Sequence, residues 1–263
     1  MTRHPHRGFT LIELLVAMAI GSIVLLTAAS MLGRGGTEYE RVGGNVGSAR
    51  EARAVITQLI EDLRTARFHP DMVFEKSTAD WPLDRLGLLT LQPADAQSTA
   101  GRIGDLCAVH YYLKDLTING KTVRCLMRGF RESSDTFDAI ARDNTASLFS
   151  PAERDEPIAF GVLAFEARPK TRGEDPGTWT AWKPGATPTA TTAPEAVELR
   201  MVIARRQLAA KLTSPSAWDG GGTTSPLLGT YDNATNNRQV EVVTTLTRFG
   251  GGQANKKGSD LAW

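Results

Sequence analysis

The sequence predicts an α+β protein: a long N-terminal helix, membrane-spanning in its first half, packed on an antiparallel β-sheet head with long loops. Three observations lead there. An almost uncharged apolar run lies near the N-terminus, an amphipathic helical period follows it, and from Leu106 onward the period shortens to that of strands. The composition agrees. The chain has 263 residues, 41% hydrophobic and 22% charged, with 30 Lys+Arg against 29 Asp+Glu. These are ordinary values for a globular chain, and they exclude a disordered, collagen-like or polytopic membrane protein. A formal charge of +1 with scattered basic residues argues against a nucleic-acid partner.

The chain starts with a short polar segment, Met1 to Gly8, carrying Arg3 and Arg7 and no acid. Phe9 to Leu32 then holds one charged residue, Glu13. About 20 apolar residues suffice to cross a bilayer as a helix. The basic flank predicts that residues 1–8 stay cytoplasmic and that the bulk lies outside. A cleavable secretory signal is the competing reading, with Ala28-Ala29-Ser30 as its small-residue site. Glu13 weighs against it, because a carboxylate in an apolar span costs about 2.5–3.5 kcal/mol near the helix centre and is kept by default for a function.

Gly33, Gly35, Gly36, Gly43, Gly44 and Gly47 predict a weakened or bent helix over the next segment, since each glycine costs about 1 kcal/mol against alanine. The apolar period resumes at Ala52, Val55, Ile56, Leu59, Ile60, Leu63 and Ala66, with Arg50, Glu51, Arg53, Gln58, Glu61, Asp62 and Arg64 assigned to other faces. This helix is expected to end near Phe68-His69-Pro70.

Strands are expected at Leu106 to Leu113, Thr122 to Arg128, Ile158 to Ala167, Val197 to Arg205 and Val240 to Phe249. Asn119-Gly120 between the first two is a type I′ hairpin signal. With no clear helix between them, one antiparallel sheet is the expectation. The connections 169–194 and 214–237 are long and polar, and the stretch from Gly250 to Trp263 has the composition of a loose tail. The resulting division is 1–8 leader, 9–32 transmembrane and assembly helix, 33–68 glycine-rich hinge and amphipathic helix, 69–249 β-rich head, 250–263 tail.

No GxSxG, Walker loop, HExxH or dinucleotide fingerprint occurs in the chain, so no catalytic residue, metal ligand or cofactor is assigned. His69, Cys107, His110 and Cys125 follow no zinc spacing rule. Asp155-Glu156 and Glu174-Asp175 sit in proline-containing loops; oxygen-rich loops can bind calcium, but without alternating acid ligands these two read as solvated acidic loops. Trp179, Trp182 and Trp218 are either contact aromatics or caps on the core. A Cys107–Cys125 disulfide is a possible bridge outside the cytoplasm. A strict two-residue turn at Asn119-Gly120 would set Cys125 opposite Lys114, so that bridge requires another register.

Arg7-Gly8-Phe9-Thr10-Leu11-Ile12-Glu13-Leu14-Leu15-Val16 resembles the processing motif of type IV pilins and type II secretion pseudopilins. The resemblance implies cleavage between Gly8 and Phe9 by a prepilin peptidase and N-methylation of Phe9. It implies that Glu13 pairs with the N-terminal amine of an adjacent subunit and sets axial register; interfacial snorkelling is the alternative. Leu59-Ile60-Glu61-Asp62-Leu63-Arg64-Thr65-Ala66 is similar to a pattern of the larger, J-type minor pseudopilins. The implied function is a minor structural subunit near the tip or in the initiation of a fibre, beneath a tip subunit since Glu13 is present. The implied partners are other pilin or pseudopilin subunits, the peptidase, an inner-membrane assembly platform, and lipid before assembly. The implied location is the inner membrane, single-pass with the head outside the cytoplasm, then a periplasmic or surface fibre. A membrane-anchored enzyme or ligand-binding protein with an uncleaved signal anchor is the competing class.

Overall fold

The computed structural model describes residues 11–77, 81–93, 97–98, 101–102, 104–175, 177–182, 193–209, 212, 231 and 240–250. An N-terminal apolar helix is followed by an antiparallel β-sheet domain, giving an α+β fold. The chain divides into two compact units, 1–46 and 47–263, so the boundary falls inside the glycine-rich segment.

Helix α1 runs Leu11–Arg64 without interruption. The helical assignment continues through the glycines of residues 33–47. The segment contains no proline, so every residue keeps the N–H a helix needs, and a glycine penalty near 1 kcal/mol lowers helix stability without blocking helical geometry. The helix ends at Arg64, before the expected Phe68. The chain turns at once into strand β1 (Ala66–Arg67), which pairs with Leu89 and Thr90.

Strands β2 (Val73–Glu75) and β3 (Arg85–Leu91) come next, then the small hairpin β4 (Gln97–Ser98) and β5 (Gly101–Arg102). Strands β6 (Leu106–Ile118) and β7 (Lys121–Arg131) form the expected hairpin, closed by Asn119 and Gly120 with φ of 51° and 76°. After them come helix α2 (Ser133–Ala141), a 3₁₀ turn (Thr145–Phe149) and strands β8 (Glu156–Phe160) and β9 (Val162–Arg172). Strands β10 (Trp179–Ala181) and β11 (Ala196–Ala204), the one-turn helix α3 (Arg206–Ala209) and strand β12 (Val240–Arg248) are the remaining elements among the described residues.

Among the described residues the strands make two main antiparallel sheets rather than one. The first has the order β1-β3-β6-β7-β8 with β2 also on β3; the second has the order β10-β9-β11-β12. The division occurs inside the expected strand Ile158 to Ala167. Gly161, at φ 72°, turns the chain so that β8 stays on β7 while β9 pairs with β11. A left-handed residue costs any other side chain about 1–2 kcal/mol, which is why glycine stands at this corner. A second tie joins the sheets where the Asp84 N–H donates to the Phe165 carbonyl at 3.0 Å and the Phe165 N–H to the Pro82 carbonyl at 2.9 Å.

The main core lies between the 47–64 part of α1 and one face of each sheet. Ala52, Val55, Leu59 and Leu63 meet Leu88, Val109, Tyr111 and Leu126 from the first sheet and Val162, Phe165, Leu199 and Met201 from the second. Helix α2, unexpected from sequence, and the 3₁₀ turn cover the other face of the first sheet, packing Ala139, Leu148 and Phe149 on Leu89 and Ala108. Trp81 is buried with Leu163, Val202 and Val240 on the other face of the second sheet. Trp182 packs on Phe74 in a tilted ring contact with 5.6 Å between centroids, and Phe74 packs on Phe249, so Trp182 caps the core. Trp218 and residues 251–263 lie outside the described residues.

The helix-to-sheet segment and its polar anchors

The N-terminal part of α1 is built for an apolar surround. Leu11–Met31, 21 residues, is long and apolar enough to cross a membrane, and its large apolar side chains are exposed. Its hydroxyls are answered locally: Ser22 Oγ donates to the Met18 carbonyl at 2.8 Å, Thr27 Oγ1 to the Val24 carbonyl at 2.8 Å, and Ser30 Oγ to the Thr27 carbonyl at 2.8 Å. Internal satisfaction of this kind is what hydrocarbon demands of a polar side chain. One ionisable residue stands in the span, Glu13, in the first turn of the described helix, where the helix dipole favours a negative charge. Gly8 and Phe9, the expected cleavage pair, lie outside the described residues.

At its other end α1 is tied to the first sheet by polar contacts that the apolar period does not reveal. Asp62, assigned above to another face, is buried. Its carboxylate accepts a short hydrogen bond from the Tyr111 hydroxyl and one from Arg128 Nε at 3.1 Å. Tyr111 and Arg128 are directly opposite each other on β6 and β7, so both side chains reach the same face. Burial, with the carboxylate beside it, pushes the Tyr111 hydroxyl well above its ordinary range. Glu51, half-buried, also reaches the head, its Oε1 accepting the Phe160 N–H at 2.6 Å in an exposed hydrogen bond.

The opposite face of the same sheet holds a second network. Asp155, expected in a solvated acidic loop, is buried and accepts Arg131 Nη1 at 2.7 Å, the Ala152 N–H at 2.7 Å and the Tyr112 hydroxyl at 3.0 Å. Burial raises a carboxyl, but these donors together hold Asp155 below its ordinary value. His110 Nε2 lies 3.2 Å from Asp155 Oδ2, misaligned for a hydrogen bond, and its ring stacks on Tyr112 with 5.2 Å between centroids. Burial pushes His110 down to about 4, outweighing the pull of Asp155, so the ring is neutral at pH 7. Gly129, the cross-strand partner of His110, leaves the room this ring occupies.

The cysteines do not meet. Cys107 pairs across to Thr90 and Cys125 to Lys114, the register that the two-residue turn requires, and no disulfide joins them. Burial raises both thiols to about 11. No cluster of three or more His, Cys, Asp or Glu suited to a metal ion occurs among the described residues.

Residues 3–29 match the prokaryotic N-terminal methylation motif. That stretch contains Gly8, Phe9 and Glu13 and runs into the exposed apolar helix. The methylation motif supports a pilin or pseudopilin subunit processed by prepilin peptidase, and with the helix it fits a membrane-anchored pilin. No curated protein matches the chain in sequence. The sequence singled out the residues of the methylation motif. It missed Asp62, Tyr111, Arg128 and Glu51, although the eleven-residue separation of Glu51 and Asp62, close to three helical turns, places the two acids near one helix face.

Proposed function

We propose that the chain is a minor pilin or pseudopilin, a structural subunit of a type IV pilus-like or type II secretion fibre that acts near the fibre tip or in its initiation. Prepilin peptidase cuts between Gly8 and Phe9 and methylates the new Phe9 amine. The helix then waits in the inner membrane with the head outside the cytoplasm. An assembly platform moves it into a fibre of similar subunits. The observation that carries this reading is the methylation motif leading directly into a helix long and apolar enough to cross a membrane.

Glu13 gives the reading its mechanism. Four residues after Phe9, its carboxylate is about one turn from the amine that cleavage creates. An uncompensated carboxylate in hydrocarbon is costly, whereas one paired with the amine of a neighbouring subunit is stabilised by the low dielectric. The pairing therefore favours a defined axial stagger between helices. The size of the head and its long connections support a minor position, because both would crowd a repeating lattice.

The test is the mature N-terminus, read by mass spectrometry from cells that express the wild-type chain or Gly8→Asp. The expected result is N-methylated Phe9 in the wild type and its loss in the variant. A start near residue 31, or an intact Met1 in the wild type, overturns the proposal.

A further inference from the structure

An interface between a helix and a sheet made only of aliphatic side chains is held by non-directional forces, and cores of that kind lose uniqueness of packing before they lose stability. The stripe of α1 that faces the sheets, Ala52, Val55, Ile56, Leu59, Leu63 and Ala66, is of this kind. Two carboxylates flank it. Asp62 is received by Tyr111 and Arg128 on neighbouring strands of the first sheet. Glu51 is received by the Phe160 main-chain N–H, at the corner where Gly161 carries the chain into the second sheet. Eleven residues correspond to about 16 Å of helical rise and an angular offset of only about 20°. The two acids therefore look to nearly the same side of the helix from points three turns apart.

We propose that Glu51 and Asp62 form a two-point polar key that fixes the rotation and axial position of residues 47–64 of α1 on the head. The end of the helix is also held where β1 pairs with β3 and the Thr65 carbonyl accepts the Leu91 N–H at 3.1 Å, so Asp62 adds a fixed rotation there and Glu51, three turns away, holds the other end against pivoting. The Asp62 site is selective in itself. Tyr111 and Arg128 leave a buried carboxylate satisfied in this setting, and a turned or displaced helix would strand that charge against aliphatic side chains. Register is the best-attested use of a buried polar contact in an otherwise apolar interface. The key itself is a property of the isolated chain and does not rest on the fibre reading.

The experiment measures one distance within the head unit in the full chain, purified in detergent micelles. Nitroxides are placed at Arg53→Cys, exposed on α1, and Arg142→Cys, exposed after α2, with Cys107→Ala and Cys125→Ala removing the native thiols. Pulsed dipolar spectroscopy is expected to give one narrow distribution while the key is intact. Replacing it with Glu51→Met, Asp62→Leu, Tyr111→Phe and Arg128→Met is expected to keep cooperative melting but to displace or broaden the distance. An unchanged narrow distance, or loss of the cooperative fold, overturns the proposal: the first makes the aliphatic stripe sufficient, the second makes the four residues stabilisers.

A milder pair decides the matter at one end of the key. Glu51→Met should broaden the distance and Glu51→Gln, whose amide oxygen still accepts the Phe160 N–H, should not; equal widths overturn the proposal. None of these outcomes bears on the N-terminal processing of the chain, so the two proposals fail separately.

Discussion

Cys107 and Cys125 point to opposite faces of the same sheet. By strand alternation Cys107 has the parity of Val109 and Tyr111, which pack toward α1, whereas Cys125 packs with Tyr112 and Met127 on the other side. Side chains alternate along a strand, so no rotamer change brings the two sulfurs together. The expected outcome is that reductant leaves both the melting temperature and the gel mobility of the purified chain unchanged. Two thiols should react with maleimide after denaturation and neither quickly before it, as their burial and raised thiol range require. A single cross-linked species in non-reducing mass spectrometry would contradict the register.

The second network makes stability depend on pH. His110 is held down to about 4 in the fold against an ordinary 6.5, so below 6.5 the unfolded chain binds the proton more readily than the folded one. Stability is therefore full above pH 6.5 and falls as pH drops toward 4, by about 3 kcal/mol at 1.36 kcal/mol per unit. His110→Phe should flatten chemical-denaturation midpoints over that window. Asp155 adds a separate loss at lower pH, because its carboxyl is held below its ordinary value and protonation there releases Arg131.

Gly129 should tolerate no side chain. A Cβ at this position would lie 1.9 Å from the His110 ring, which Tyr112 and Asp155 confine. Gly129→Ala is expected to destabilise the head by about 1–3 kcal/mol, the usual range for overpacking. Combining it with His110→Ala should recover much of that loss in a double-mutant cycle, since the two sites compete for one volume. Additive penalties would place the cost in the backbone instead.

Glu13→Val is the corresponding test of the proposed assembly segment. Membrane insertion should persist or improve, because the substitution removes the one charge from an apolar span. Incorporation into fibres should fall sharply, measured as the sheared-fibre fraction against the membrane fraction in immunoblots. Undiminished incorporation would remove Glu13 from assembly.

What could be read along the chain and what could not follows from the range of the forces involved. The Asn119-Gly120 turn was legible because both residues adopt positive φ, and that local choice fixed the pairing of Lys114 with Cys125 seen in the structure. Strand β3 was not legible. Arg85–Leu91 is buried on both faces at its centre and so lacks the alternation of a half-buried strand. Helix α2 was missed for a related reason, since it is short and buries only Thr136 and Ala139. The break at Gly161 lay inside an apolar run that is continuous in sequence, and only the different partners of β8 and β9 expose it.

The sequence by itself determined the N-terminal segment, where contiguous apolarity, one carboxylate and the methylation motif are all properties of neighbours along the chain. It determined equally the stripe that α1 lays on the head and the hairpin of β6 and β7. Only the tertiary structure decided that two acids on the α1 helix face the sheet and that Asp155 and His110 are interior groups. It alone also decided that the cysteines are parted. Each of these depends on a partner tens of residues away, such as Tyr111 for Asp62 or Phe160 for Glu51. Hydrophobic burial is proportional to area and can be read from periodicity, whereas a polar contact is directional and exists only once its donor and acceptor have been brought together.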